Sequence, residues 1–393
     1  MDLNRTSPFR KLLTITVPAI ALTAVVLAGA VEAWARATRA PNQGTPGLFE
    51  PDPVRRIRLA PDYDGWFAGV PVHTNRLGLR DDRDGALEKR PNTFRILVLG
   101  DSVTFGHGSV AANAYPQLLE RLLREWRPAV DWQVWNAGVP GYNTSQELAH
   151  LLELGPIAKP DLVVVGFFEN DVEDNFDLSP PTRFQRAASA LRAVVQKHFY
   201  SFELYRRVLL TLEWKLSASD AYRKRLEALE SEDKMFTRLP DVADSRLQQL
   251  SPYDRLTDAQ RAERICPKGE TADPTMLPSL QANPGYGPWL RAVRALQRLN
   301  ADGVYRIVFF LNVIPRVCPS EDAYYDGGVG VENAFFLNVM GDGTPAVSVF
   351  DAFLHRVPSQ MPYAQAHAIG NANLTKAETL LEFLKARRLV PAR

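Results

Sequence analysis

Four consecutive apolar residues, Ile96 to Leu99, lie between Pro91-Asn92 and Gly100. A short apolar run with turn signals at both ends reads as a strand buried on both faces. A parallel sheet with helices above and below provides that environment. The run stops at Gly100-Asp101-Ser102, and a helical pattern begins near Asn113. Ligands of open α/β sheets bind just beyond the carboxyl ends of the strands, so Ser102 stands where a nucleophile would be useful. Taken alone, the tripeptide reads as a turn that caps the following helix.

The alternation continues down the chain. Trp132 to Trp135, Leu162 to Phe168, Tyr305 to Val313 and Val347 to Phe350 read as four further strands, the last ending at Asp351. Between them, Ala114, Leu118, Leu119, Leu122 and Leu123 recur at helical spacing. Thr144 or Ser145 is placed to cap a helix through Leu154, and Trp289 to Leu299 has the pattern of a crossover helix. Leu374, Ala377, Leu380, Leu381 and Leu384 mark a closing helix over Asn373 to Arg388. Strand alternating with helix predicts an α/β fold of about five parallel strands, helices on both faces and right-handed crossovers. The excursion over 176–286 is too long for a structureless loop. Its first half, Arg186 to Arg238, reads as helical, and it is expected to form a helical cap beside the site.

Near the amino terminus, Arg5, Arg10 and Lys11 precede Leu12 to Val31, a run without a formal charge. Its length spans a bilayer core as a helix, and the basic flank predicts that end in the cytoplasm and the remainder outside. A cleaved signal peptide competes, since Ala28-Gly29-Ala30 offers small residues for cleavage. The apolar run exceeds a usual signal-peptide core, which favours an uncleaved anchor. The expected organisation is a cytoplasmic tail and signal-anchor over 1–36, a linker and small β-rich appendage over 37–90, and the α/β domain over 91–393. Possible strands of the appendage lie around Val54 to Leu59 and Trp66 to Val72. The charge balance, 46 basic against 45 acidic residues, gives no support to nucleic-acid binding. No metal-ligand spacing, phosphate-binding loop or repeat is present in the sequence, so neither cofactor nor metal is expected.

Polar residues stand at three strand ends: Ser102 after the first, Gly141 after the second and Asn170 after the third. His367 precedes the closing helix. Acyl transfer by serine needs a base for the hydroxyl proton, usually histidine. It also needs donors aimed at the developing oxyanion, each worth about 10²–10³ in rate. A glycine N–H and a side-chain amide both serve.

In order, Gly100-Asp101-Ser102-Val103-Thr104-Phe105-Gly106, Asn136-Ala137-Gly138-Val139-Pro140-Gly141, Glu169-Asn170-Asp171 and His367 resemble the blocks of the SGNH (GDSL-type) hydrolase family. That resemblance implies a flavodoxin-like three-layer α/β/α sandwich. It implies Ser102 as nucleophile with its own N–H in the oxyanion hole, Gly141 and Asn170 as further donors, and His367 as base. The last block departs from the family pattern. An aspartate usually stands three residues before the histidine, and here the position is Ala364. Three alternatives follow: another carboxylate such as Asp351 orients His367, a backbone carbonyl does so and leaves a dyad, or the site is weak or inactive. His355, four residues after Asp351, is a rival base. His107, in Gly106-His107-Gly108, reads as a loop residue near the pocket.

The implied protein is a membrane-anchored, extracytoplasmic (periplasmic or extracellular) serine esterase. Its partners would be an ester-bearing small molecule, glycan or lipid, and the membrane through the N-terminal helix. The alternatives are an O-acyltransferase acting on an envelope glycan, or a non-catalytic binding or scaffold protein with a degenerate triad. In an oxidising compartment, Cys266 and Cys318 are expected to pair.

Overall fold

The structure is a computed structural model and describes residues 12–43, 47–81, 89–178, 182–217, 273–318, 320–361, 363–364 and 367–391. A one-turn π-helix, Leu12–Thr16, leads into α1 (Val17–Gln43). Pro18 stands just after the junction of the two, where it removes one N–H from the helical ladder. The stretch Thr14–Ala37 is long and apolar enough to cross a membrane, and none of its most apolar window is covered by the rest of the protein.

Two antiparallel hairpins follow. The first is β1 (Phe49–Asp52) with β2 (Arg56–Leu59), and the second is β3 (Asp64–Phe67) with β4 (Val70–His73). Left-handed backbone at Ala68 and Gly69 makes the tight turn of the second hairpin. The main domain then runs β5 (Thr93–Gly100), α2 (Ser102–Phe105), α3 (Tyr115–Trp126), β6 (Asp131–Gly138), α4 (Thr144–Ala158) and β7 (Leu162–Phe167). Next come α5 (Asn170–Glu173), α6 (Arg183–His198), α7 (Phe202–Ser217), α8 (Met276–Ala282), α9 (Tyr286–Ala301) and β8 (Ile307–Leu311). The chain closes with β9 (Arg316–Cys318), β10 (Ala323–Tyr325), α10 (Val329–Met340), β11 (Ala346–Ser348), α11 (Phe350–Leu354), β12 (Tyr363–Ala364), β13 (His367–Ala368) and α12 (Asn371–Ala386).

The central sheet is parallel throughout, in the order β11-β8-β7-β5-β6. Along β5 the side chains alternate between two cores. Ile96 and Val98 pack with Leu118, Leu119 and Leu123 of α3 and Leu380 and Leu384 of α12. Leu97 and Leu99 pack with Leu151 and Leu154 of α4 and Trp289, Val293 and Leu296 of α9. Both faces of the strand are therefore apolar, which is why it reads as a continuous hydrophobic run. The result is a three-layer α/β/α sandwich. The strand order reverses between β5 and β7, and in such sheets the crevice forms there.

Two sequence expectations are corrected. The fifth strand ends at Ser348, not at Phe350, because the Ser348 hydroxyl accepts the Phe350 N–H (3.1 Å) and turns the chain into α11. Asp351 is consequently an exposed residue in a helix rather than a strand-end carboxylate. The described part of the insertion, α6 and α7, is tied to α1: Glu32 and Arg36 of α1 hydrogen-bond to the turn at 198–201. Residues 218–272, where the rest of the expected helical segment falls, lie outside the described residues. Cys318 is disulfide-bonded, and Cys266 lies outside the described residues.

Candidate active site

The geometry starts at the end of β5. Asp101 accepts the Val103 N–H (2.8 Å) and so caps α2, which begins at once with Ser102. The cap and the candidate nucleophile are therefore neighbours in one turn, not rival readings of it. Close packing fixes α2 against the sheet. A Cβ on Gly100 would lie 2.0 Å from Thr104 Oγ1, and a Cβ on Gly138 would lie 2.3 Å from the Phe105 nitrogen. Bare backbone on β5 and β6 thus lets the short helix sit directly on the strand ends. Asn136 braces it by donating to the Thr104 carbonyl (2.9 Å) and accepting the Gly138 N–H (3.0 Å).

Ser102 Oγ lies 2.7 Å from His367 Nε2. Asp101 Oδ2 is 3.5 Å from the same oxygen, too long to compete. His367 sits in the two-residue strand β13, paired with β12 so that Ala364 is opposite it. The position where the family carries aspartate is thereby brought opposite the histidine, and the residue there carries no carboxylate. Gln365 and Ala366 lie outside the described residues. Asp351 and His355 are both exposed on or at the end of α11, and among the described residues neither makes a hydrogen bond or ion pair with Ser102 or His367. The rival base is set aside on that ground.

Sheet order sets the other two candidates on either side of Ser102. Gly141 follows β6, one neighbour of β5, in left-handed backbone (φ 82°). Asn170 opens α5 after β7, the other neighbour. The N–H groups of Ser102 and Gly141 make no hydrogen bond among the described residues, so both are available to a ligand oxygen. The Asn170 turn is tied down from behind. Asp171 Oδ2 accepts from the Phe168 N–H (3.3 Å), and Asn175 Nδ2 donates to the Asp171 carbonyl (2.9 Å).

Several contributors carry no pattern in the sequence. His107 stacks on His367, ring centroids 4.3 Å apart at 22°. Phe67 of β3 meets His107 edge-on at 5.2 Å. The appendage thereby supports the imidazole through two rings. Arg80 is fully buried, its guanidinium 4.3 Å from the Phe105 ring, and donates to the carbonyls of Phe105 (2.6 Å), Gly106 (2.7 Å) and Ser109. A lone arginine after a turn-rich stretch gives no hint of that destination.

Beneath the strand ends lies a group of buried ionisable residues. Burial pushes Asp101 up to about 6, and burial lowers Lys376 of α12 to about 8, against the opposing pull of Asp101. Burial likewise raises Glu147 and Asp171 well above the ordinary carboxylate range, and the charge of neighbouring carboxylates adds to it. Both Glu147 carboxyl oxygens are buried without a hydrogen-bond partner among the described residues. No group of His, Cys, Asp and Glu among the described residues is arranged to hold a metal ion.

The model of the GDSL-like lipase/acylhydrolase family matches residues 98–302. No curated protein matches the chain. Solved structures similar to it include an α/β hydrolase from the metagenome of Lake Arreo, with 16% identity, TM-score 0.37, 78% of this chain and 100% of that one. An acetylxylan esterase from Geobacillus stearothermophilus has 14% identity and TM-score 0.37, over 76% and 97% of the two chains. A two-domain esterase active on acetylated mannans has 12% identity and TM-score 0.35, over 75% and 49%. Likenesses this distant carry no argument about substrate.

Proposed function

Because the chain belongs to the GDSL-like lipase/acylhydrolase family, and so is a serine enzyme acting on ester bonds, we propose that it is a membrane-anchored, extracytoplasmic esterase. Its substrate is a carboxylic ester, an acyl or acetyl group on a glycan or lipid of the cell envelope. The substrate class follows from the apolar Thr14–Ala37 helix and its basic amino-side flank, which favour a domain held outside, next to the envelope.

The observation that carries the catalytic reading is the 2.7 Å contact between Ser102 Oγ and His367 Nε2. His367 acts as base, which requires the neutral imidazole with its proton on Nδ1, leaving the Nε2 lone pair for the serine hydroxyl. As Oγ bonds to the carbonyl carbon, its proton passes to Nε2 and charge gathers on the carbonyl oxygen. The N–H groups of Ser102 and Gly141 and the amide of Asn170 receive that charge. The imidazolium then gives its proton to the departing alkoxide oxygen, leaving an acyl-serine. Water, deprotonated by the same histidine, releases the acid and restores the hydroxyl. Its β12–β13 backbone pairing and its stacking on His107 both support the position of His367.

The test uses the full chain in detergent, with a fluorophosphonate probe and p-nitrophenyl acetate. Ser102 is expected to be labelled and turnover observed. Ser102→Ala abolishes both, and Asn170→Ala lowers kcat by about 10²–10³ while leaving labelling site-specific. Labelling elsewhere, or turnover that survives Ser102→Ala, overturns the reading.

A further inference from the structure

The turn between α6 and α7 is fastened to the outer end of α1. Glu32 is the first charged residue after the apolar run Leu12 to Val31. Its carboxylate accepts from the Tyr200 N–H (3.1 Å), the Ser201 N–H (2.9 Å) and the Ser201 hydroxyl (2.6 Å). One turn on, Arg36 bonds to Glu32 (2.8 Å) and to the His198 carbonyl (2.7 Å), and lies 5.0 Å from the centre of the Tyr200 ring. If α1 spans a bilayer, Glu32 marks where the hydrocarbon ends, since a charge is costly deeper in. The turn it grips is then held at headgroup level, with Phe199 and Tyr200 at the depth where aromatic side chains gather.

The helices leaving this turn each turn an apolar stripe to the outside. On α6, Phe184, Leu191 and Val194 share one face and are 81%, 67% and 56% exposed. On α7, Val208, Leu209, Leu212 and Leu216 do the same at 49%, 59%, 49% and 87%. Contiguous apolar surface of this kind marks an interaction site. The charge of the segment indicates with what. Residues 182–217 hold seven arginines and lysines (Arg183, Arg186, Arg192, Lys197, Arg206, Arg207 and Lys215) against two glutamates, in a chain of net charge +1. Basic helices with one apolar face lie in membrane interfaces, apolar side toward acyl chains and cations toward anionic headgroups.

We propose that the α6–α7 hairpin is a second membrane contact, lying in the headgroup layer of a bilayer that contains anionic phospholipid. The inference rests on the reading of α1 as a membrane span, which alone fixes the depth of the 199–201 turn. A protein occupant of the same stripes, such as residues 218–272 or a second copy of the chain, is the competing outcome.

The full chain is placed in nanodiscs of phosphatidylcholine and phosphatidylglycerol, with the environment-sensitive label NBD on one introduced cysteine. No described cysteine is free to take the label. Variants Leu212→Cys and Leu191→Cys report the hairpin, Val25→Cys reports α1, and Glu382→Cys on α12 is the aqueous control. Turnover of p-nitrophenyl acetate checks that each variant is folded. Doxyl-labelled phospholipid is expected to quench labels at 191, 212 and 25 severalfold more than at 382. Quenching at 191 and 212 should weaken severalfold in phosphatidylcholine alone, without change at 25. Quenching at 25 but not at 191 or 212 overturns the proposal and leaves the anchor standing. Blue-shifted emission at 212 without quenching also overturns it, because protein then covers the stripe. Quenching at 191 and 212 but not at 25 supports the hairpin contact and refutes the span. Quenching at none of the three refutes both.

Discussion

Ser102 is held toward His367 by its neighbours on each side. Asp101 fixes the turn before it, and the rings of His107 and Phe67 fix the imidazole it meets. The His107 ring lies 4.3 Å from the His367 ring, nearly parallel to it, and this stacking contributes to the orientation of the imidazole. Removing it should cost catalysis without removing the base. His107→Ala is expected to lower kcat on the order of ten- to a hundredfold with little change in KM, since a misplaced imidazole loses transition-state contact rather than substrate binding. His107→Phe keeps a flat ring and should recover most of the loss. Steady-state kinetics of both variants on p-nitrophenyl acetate check this, and equal defects in the two would deny the stacking role. The candidates for the nucleophile, both flanking donors and the base were legible in the sequence, because each lies at the end of a strand or just before a helix, and those ends are written in local pattern. His107 was legible only as a loop residue, because ring stacking between residues 107 and 367 has no local signature.

Among the elements, α2 is the piece on which the site depends. Four residues cannot sustain a helix alone, so its position comes from what surrounds it. Gly100 and Gly138 bring it close, Asn136 braces one side, and Arg80 satisfies the carbonyls at its far end. Arg80 comes from the segment that follows the β3–β4 hairpin, so the appendage is part of the active-site support. Arg80→Met takes the charged donor from the carbonyls of Phe105, Gly106 and Ser109, of which Gly106 keeps the Ser109 N–H, and a charged donor is the strongest partner they can have. The variant is expected to lose about 3 kcal/mol of stability. Urea unfolding in detergent measures the loss, and a change below about 0.5 kcal/mol, typical of a surface site, would contradict the clamp. The family-like blocks could be read along the chain, but the hairpin region gave only short possible strands. Its role depends on contacts to residues far away in sequence.

For the whole molecule, buried charge beneath the sheet edge sets a pH dependence of stability. Glu147 is fully buried, both its oxygens lack partners, and it sits near Asp101 and Asp171. Its folded value is raised above the ordinary 4.5, so above that pH the unfolded chain releases a proton that the folded protein keeps. The folded state then binds more protons, and stability falls as pH rises, by up to about 1.4 kcal/mol per pH unit for each such group. Asp101, raised to about 6, contributes the same sign between the ordinary 3.8 and about 6. Glu147→Gln removes one of these groups. The variant should gain stability relative to the parent as pH goes from about 5 to about 8, and match it more nearly at the acid end. Thermal unfolding at the two pH values decides, and a constant difference would show that Glu147 is ionised in the folded protein.

What the sequence determined by itself is what local pattern can encode. Apolar runs bounded by turn residues defined strands, helical spacing defined the layers around them, and an uncharged run defined a helix able to span a bilayer. Polar residues at strand ends then named the chemistry. The tertiary structure decided everything that depends on distance through space. It set the order of the strands, the contact between Ser102 and His367, the ring behind that histidine, and the seating of α2 on bare glycine backbone. It also turned Asp351 into an exposed helical residue and sent α6 and α7 to the end of α1. Those outcomes arise from packing and hydrogen bonds between segments up to hundreds of residues apart, and no window of sequence contains both partners.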